Sequence, residues 1–154
     1  MNNIYFYETE VGTIGIRENN KSITDIYFSK INTNDNIEET ELIKECFRQL
    51  NEYFEGNRKN FDLPIEAKGT EFQKKVWNEL LKIPYGETKS YKEIALSIGN
   101  EKACRAIGMA NNKNPIPIII PCHRVIGSNG KLVGYAGGIN VKEKLLNIEK
   151  IDLK

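Results

Sequence analysis

The chain has little of what small proteins use to hold metals or to staple themselves together. Its 154 residues include one histidine, one tryptophan, two methionines and three cysteines. Cys46, Cys104 and Cys122 are odd in number, and no pair has Cys-x-x-Cys spacing, so neither a disulfide framework nor a zinc site is supported. A Cys/His metal site would need nearly all of these residues at once, so no metal is expected. No apolar run approaches the roughly 18 residues that span a bilayer, which disfavours a membrane partner. Residues 1–8 lack the basic and apolar regions of a signal peptide, and a cytoplasmic location with reduced thiols is expected. Cys46 and Cys104 read as buried small hydrophobes.

What is present suits one domain, or a small one joined to a slightly larger one: 40% of residues are hydrophobic and 28% charged. The net charge of +1 hides an asymmetry. Residues 1–67 carry 7 Lys/Arg against 13 Asp/Glu, a net −6, whereas residues 68–154 carry 15 against 8, a net +7. A basic second part points to an anionic partner there, and nucleic acid is the commonest one.

Residues 4–8, 13–17 and 22–29 are strand-like, with Gly12 and the cluster at 18–20 as punctuation. A polar stretch at 32–36 precedes a helix pattern from about Ile37 to Glu55. Ile43, Phe47, Leu50 and Phe54 share a face, and Gly56 stands just past the end. This part reads as a small sheet with a helix across it, carrying no evident chemistry. Residues 61–69 read as a linker.

Thr70 and Gln73 form a capping box for a helix that ends before Pro84. Ser90 and Glu93 form a second, opening a short helix from Tyr91 to Ile98. Gly99 and a cap at Asn100 lead into a further helix, about Glu101 to Asn111. Two short helices around a glycine turn fit a helix-turn-helix, and equally a plain αα-corner. In the second of them Ala103, Ala106, Gly108 and Ala110 are small and Arg105 projects among them, which allows close approach to a helix or a DNA groove. The apolar run Ile116–Ile120 is bracketed by Pro115 and Pro121 and reads as a buried extended segment. Residues 128–130 read as a hairpin turn between Val125-Ile126 and Leu132-Val133. A last helix, about Val141 to Lys150, is expected to be capped by Asn140.

The single histidine, His123, directly follows Cys122. A free thiol has a pKa of about 8.5, and an imidazole or a cation beside it raises the thiolate fraction. Adjacent side chains on a strand point to opposite faces, so the pair cooperates only if the chain turns at Cys122 or a water bridges the two. The base also needs an acceptor on its other nitrogen, from Glu143 or Glu149. The bland alternative is a buried thiol beside a surface histidine. Thioester hydrolysis normally asks for a separate histidine, and there is none. Attack on an alkyl group of a base needs only that base placed against the sulfur, after it has been flipped from the duplex.

The run 117–125, centred on Pro121-Cys122-His123-Arg124-Val125, closely resembles the active-site signature of the O6-alkylguanine-DNA alkyltransferases, the methylated-DNA–protein-cysteine methyltransferase family. The resemblance extends through residues 69–73, Val76-Trp77, 83–88, Ser90-Tyr91, Lys102-Ala103, Arg105-Ala106, Asn114-Pro115 and 134–138, and so covers essentially all of 69–149. It implies Cys122 as alkyl acceptor, His123 as its base through a water, Glu149 as the residue orienting His123, and Asn114 as a brace of the loop. Tyr91 would help to rotate the nucleotide out, and Arg105 would fill the vacated stack. The helix bearing Arg105, Ala106 and Gly108 would lie in the minor groove, with Ser90 and Arg124 as further DNA contacts. The carbonyls of Val125 and Cys122 would read the base's exocyclic amine, and Tyr135, Ala136 and Tyr91 would line its pocket. Met109 departs from the small residue usual in the family, and residues 1–67 lack the ligands for the zinc that some relatives carry there.

The fold class expected is α+β. A three-stranded antiparallel sheet with one helix occupies 1–67, and a mainly helical, winged-helix-like domain with a helix-turn-helix occupies 68–154. The activity implied is a single-turnover transfer from O6-methylguanine, with O4-methylthymine as a second candidate lesion, in double-stranded DNA to Cys122. It needs no cofactor, and a monomer without an obligate protein partner is expected. The alternatives are a non-enzymatic binder of alkylated DNA, a helix-turn-helix regulator and a cysteine hydrolase.

Overall fold

The computed structural model describes residues 2–127, 130, 134, 135 and 137–151. Strands β1 (Asn3–Thr9), β2 (Gly12–Glu18) and β3 (Ile23–Tyr27) form an antiparallel meander. The sheet has one strand more than the sequence suggests. β4 (Asn36–Ile37) pairs in parallel with β1, giving the order β3-β2-β1-β4. Two residues cannot show a period, so only pairing reveals them; Asn36 Nδ2 adds a bond to Asn3 Oδ1 at 2.8 Å.

Helix α1 (Glu41–Phe54) begins four residues later than the pattern suggests, because the Thr40 side chain accepts the Ile43 amide and starts it there. Gly56, at φ 80°, closes it: its amide bonds Tyr53 O, and that of Asn57 bonds Glu52 O. The buried stripe is Ile43, Cys46, Leu50 and Tyr53, whereas Phe47 turns aside to stack on Tyr7 at 3.7 Å. Each such side chain, fully buried, contributes about 1.5–3 kcal/mol.

The stretch 61–69 is more than a spacer. It covers the open edge of β3, where Ile23 N donates to Pro64 O and Glu66 N to Ile23 O, at 2.8 and 2.9 Å. Farther along the same strand Ile26 N bonds Pro115 O at 2.8 Å, which ties the sheet to the loop before Cys122.

Helix α2 (Glu71–Leu80) carries the expected capping box, and its Trp77 Nε1 donates to Ala110 O at 2.9 Å. A Cβ on Gly69 would lie 2.5 Å from the Trp77 ring, so the chain enters α2 under that indole only as glycine. β5 (Lys89–Ser90) leads into α3 (Tyr91–Ser97), which has the second capping box. α4 (Cys104–Asn112) starts three residues later than expected, with no side-chain cap, since residues 100–103 form a separate turn in which Ala103 N bonds Asn100 O. After a 3-10 turn (Cys122–Arg124), β6 (Val125–Ile126) pairs in parallel with β5. Most of the hairpin read at 128–133 lies outside the described residues. α5 (Ile139–Ile148) starts at Gly138, φ 95°, rather than at an Asn140 cap. One continuous apolar cluster runs from Val11 to Leu145, through both parts of the chain.

Candidate active site and nucleic-acid face

The run 116–120 is buried but folded rather than extended. Asn114 Oδ1 accepts Ile116 N at 3.0 Å and its Nδ2 donates to Ile120 O at 2.8 Å, while Ile120 N bonds Ile116 O at 2.9 Å. Flanking prolines leave no ladder for a strand, and the Asn114 amide takes the place of a strand partner. Ile118 sits at φ 75°, a region that costs a β-branched residue about 1–3 kcal/mol. The turn delivers Cys122 to the 3-10 turn, so the chain does bend where a cysteine–histidine pair requires it.

His123 is wholly buried, and its Nε2 lies 2.6 Å from Glu149 Oε2. With a carboxylate at Nε2 the proton sits there, and Nδ1 is the free base. Nδ1 is buried with no hydrogen-bond partner among the described residues. Burial holds the imidazole pKa below its ordinary value despite the Glu149 charge, so His123 is neutral at neutral pH. Glu143 is exposed, whereas Glu149 is buried just beyond the end of α5 as its C-cap residue.

Glu149 is the hub of the site. Burial would raise its pKa, but the bonds from His123, Arg124 and the Gly86 amide hold it down at about 2. Arg124 reaches both oxygens, Nε to Oε1 at 2.9 Å and Nη2 to Oε2 at 3.2 Å, and gives Nη1 to Ile83 O at 2.7 Å. Arg124 is therefore not placed to contact DNA: its guanidinium is buried as the counter-ion of Glu149.

Burial pushes the Cys122 thiol up to about 11, against the opposing pull of Asn114, Lys142 and Tyr135. The resting sulfur is thus a protonated thiol, and it becomes a nucleophile only as a base removes the proton. Lys142, which no motif marks in the sequence, is fully buried and gives Nζ to Val125 O at 2.6 Å. Its desolvation lowers its pKa to about 8. Asn111, also missed, gives Nδ2 to Cys122 O at 3.3 Å, and that oxygen also accepts the Val125 amide. A guanine amine would share these two carbonyls with protein donors. The Tyr135 hydroxyl is buried near the thiol without a well-formed hydrogen bond. Ala136 lies outside the described residues.

Tyr91 and Ser90 stand half-buried at the start of α3, and Ser90 Oγ accepts the Glu93 amide at 3.0 Å. Gly108 lies beneath Tyr91, whose ring is 3.9 Å from where a Cβ would be. Arg105, Ala106 and Met109 are exposed together on α4, four-residue spacing placing Arg105 and Met109 on one face. Tyr53, from α1, also enters the site and was missed, although its place three residues after Leu50 and seven after Cys46 marks it as core-facing.

Two family models match the chain: the ribonuclease-like domain of 6-O-methylguanine DNA methyltransferase over residues 4–67, and its DNA-binding domain over 71–151. A Methanosarcina acetivorans methylated-DNA–protein-cysteine methyltransferase is 51% identical over 148 residues, 93% of this chain and 95% of its own. The constitutive enzyme of that name from Bacillus subtilis is 47% identical over 156 residues, 96% and 94% of the two chains. Among solved structures, Mycobacterium tuberculosis OGT in complex with DNA superposes with a TM-score of 0.90 at 43% identity, covering 96% of this chain and 92% of its own. With both halves matched and near full-length relatives at such identity, the chain belongs to the methylated-DNA–protein-cysteine methyltransferase family.

Proposed function

We propose that this protein repairs alkylated double-stranded DNA by moving the alkyl group of O6-methylguanine onto its own Cys122. The observation that carries the reading is the buried line from the Cys122 turn through His123 to Glu149, together with the exposed face of α4 that bears Arg105.

The reaction forms a bond from Cys122 Sγ to the methyl carbon and breaks the carbon–O6 bond. The bond's electron pair stays on the guanine, which takes up a proton. The thiol proton passes to His123 Nδ1 through a water, and Glu149 stabilises the imidazolium that forms. Lys142 supports the developing thiolate from a buried position. The thioether is stable, so each chain reacts once. Duplex stacking hides the base, and reaction requires flipping it. Arg105 fills the gap, Tyr91 helps the rotation, and α4 lies in the minor groove, where Ala106 and Gly108 allow close approach. Val125, Tyr135 and Ala136 line the pocket for the base, and Ser90 contacts the backbone. Residues 1–67 form the structural part and 68–154 the reacting part, in a cytoplasmic monomer. O4-methylthymine is a second candidate lesion.

Intact-mass spectrometry after mixing with duplex O6-methylguanine DNA tests this. One methyl per chain, mapped to the Cys122 peptide, supports the reading. Tight DNA binding with no mass change would leave a non-enzymatic binder of alkylated DNA, for which the thiol and its relay have no use.

A further inference from the structure

Among the described residues, Tyr53 is the side chain through which the N-terminal part touches the His123–Glu149 pair. It is fully buried on α1, and its ring packs against Phe54, Phe61 and Tyr85 and stands edge-on to His123 at 6.4 Å. Its hydroxyl donates to Glu149 Oε2 at 2.5 Å, the same oxygen that His123 Nε2 meets at 2.6 Å, and lies 3.3 Å from Nε2 itself. A phenylalanine would fill this space equally well, so the hydroxyl is the part whose presence needs a reason.

We propose that Tyr53 is a positioning residue of the alkyl-transfer reaction: by donating to the oxygen that accepts the His123 Nε2–H hydrogen bond, it fixes the Glu149 carboxylate and weakens its pull, so that α1 sets the strength of the base offered to Cys122. The proposal rests on the reading of Cys122 as acceptor and His123 as its base. A donor on a shared carboxylate oxygen draws off charge that would otherwise stabilise the imidazolium. Burial, followed by the Glu149 charge, raises the phenol well above its ordinary pKa, so it remains a donor across the working range. The other groups facing the pair are Arg124 and Cys122 on the 3-10 turn, Tyr85 and the Gly86 amide before β5, Lys142 on α5, and Tyr135. All come from the C-terminal part, and Tyr53 alone among them links the pair to the sheet domain.

Single-turnover methyl transfer from duplex O6-methylguanine, followed between about pH 5 and 9, tests it on Tyr53→Phe and Tyr53→3-fluorotyrosine. Without the hydroxyl, Glu149 holds the His123 proton more tightly. The acid limb then moves about one pH unit higher, so transfer on that limb slows up to about tenfold while transfer above about pH 8 changes little. The fluorinated phenol is a stronger donor and moves the limb lower. Phe61→Leu loosens the same ring cluster and should lower the melting temperature without moving the limb. Superimposable profiles for all forms would overturn the proposal. If Tyr53→Phe melts below the assay temperature, the fluorotyrosine shift decides. Absence of transfer by the wild-type protein would instead remove the acceptor reading beneath it.

Discussion

His123 and Glu149, 26 positions apart in the chain, meet through a 2.6 Å hydrogen bond between two side chains that are wholly buried. The same carboxylate pairs with Arg124, so one group holds the imidazole and supplies the counter-charge. Glu149→Gln should slow methyl transfer by about 100-fold. Breaking the Arg124 pair should also cost about 3–5 kcal/mol of stability. DNA affinity, measured by fluorescence anisotropy, should change little. An unaltered transfer rate would remove the carboxylate from the relay.

Acid should destabilise the fold in two steps. The folded His123 pKa lies below 6.5, so as pH falls through 6.5 the unfolded chain binds a proton that the folded one refuses. Glu149 repeats this between 4.5 and about 2, where its depressed pKa means that folded stability is present above and lost on the way down. Lys142 acts on the alkaline side: lowered from 10.5 to about 8, it makes stability rise as pH climbs between those values. Melting temperatures across this range check all three slopes. Replacing His123 by Gln should flatten the first.

Arg105→Ala should reduce repair of duplex DNA by about tenfold or more, because an empty gap leaves a few kcal/mol of unstacking uncompensated. Reaction with the free modified base should be unchanged, since that substrate has no stack to open. Equal losses on both substrates would refute the finger role.

Before DNA is added, Cys122 should react slowly with iodoacetamide. It is buried, and desolvation keeps its thiol at about 11, whereas Cys104 is partly exposed. Timed peptide mapping should find Cys104 labelled first. Lys142→Met should slow transfer to Cys122 further at neutral pH by withdrawing a nearby positive charge. Faster transfer in that variant would show that the lysine hinders the thiolate.

Asn114→Ala removes two hydrogen bonds that hold the turn at 116–120 and its strained Ile118. A loss of about 2–3 kcal/mol in urea unfolding is expected from the stranded buried groups. Transfer should slow as well, because the turn aims Cys122. A stability loss with a normal rate would confine Asn114 to a structural role.

Much of the site was legible because its chemistry is local in the chain. Cys122 and His123 are neighbours, the capping boxes at Thr70 and Ser90 announce their helices, and small residues around Arg105 mark a close-approach face. The strands β1 to β3 showed in β-branched and aromatic runs between turns. Arg124 was misread because a cation beside a reactive thiol in a basic half of the chain looks like a phosphate contact. Its role depends on Glu149, which no spacing rule places beside it.

The sequence by itself determined that a cysteine and the single histidine stand side by side and which segments form helices, since propensity, capping and the order of neighbours act over a few positions. Tertiary structure alone decided the state of those residues. It buried Arg124 and Lys142, brought Tyr53 across from α1, and added β4 to the sheet edge. It also set the Cys122 thiol high and the Glu149 carboxyl low. These outcomes arise from desolvation and from partners distant in sequence, and both exist only once the chain has closed around them.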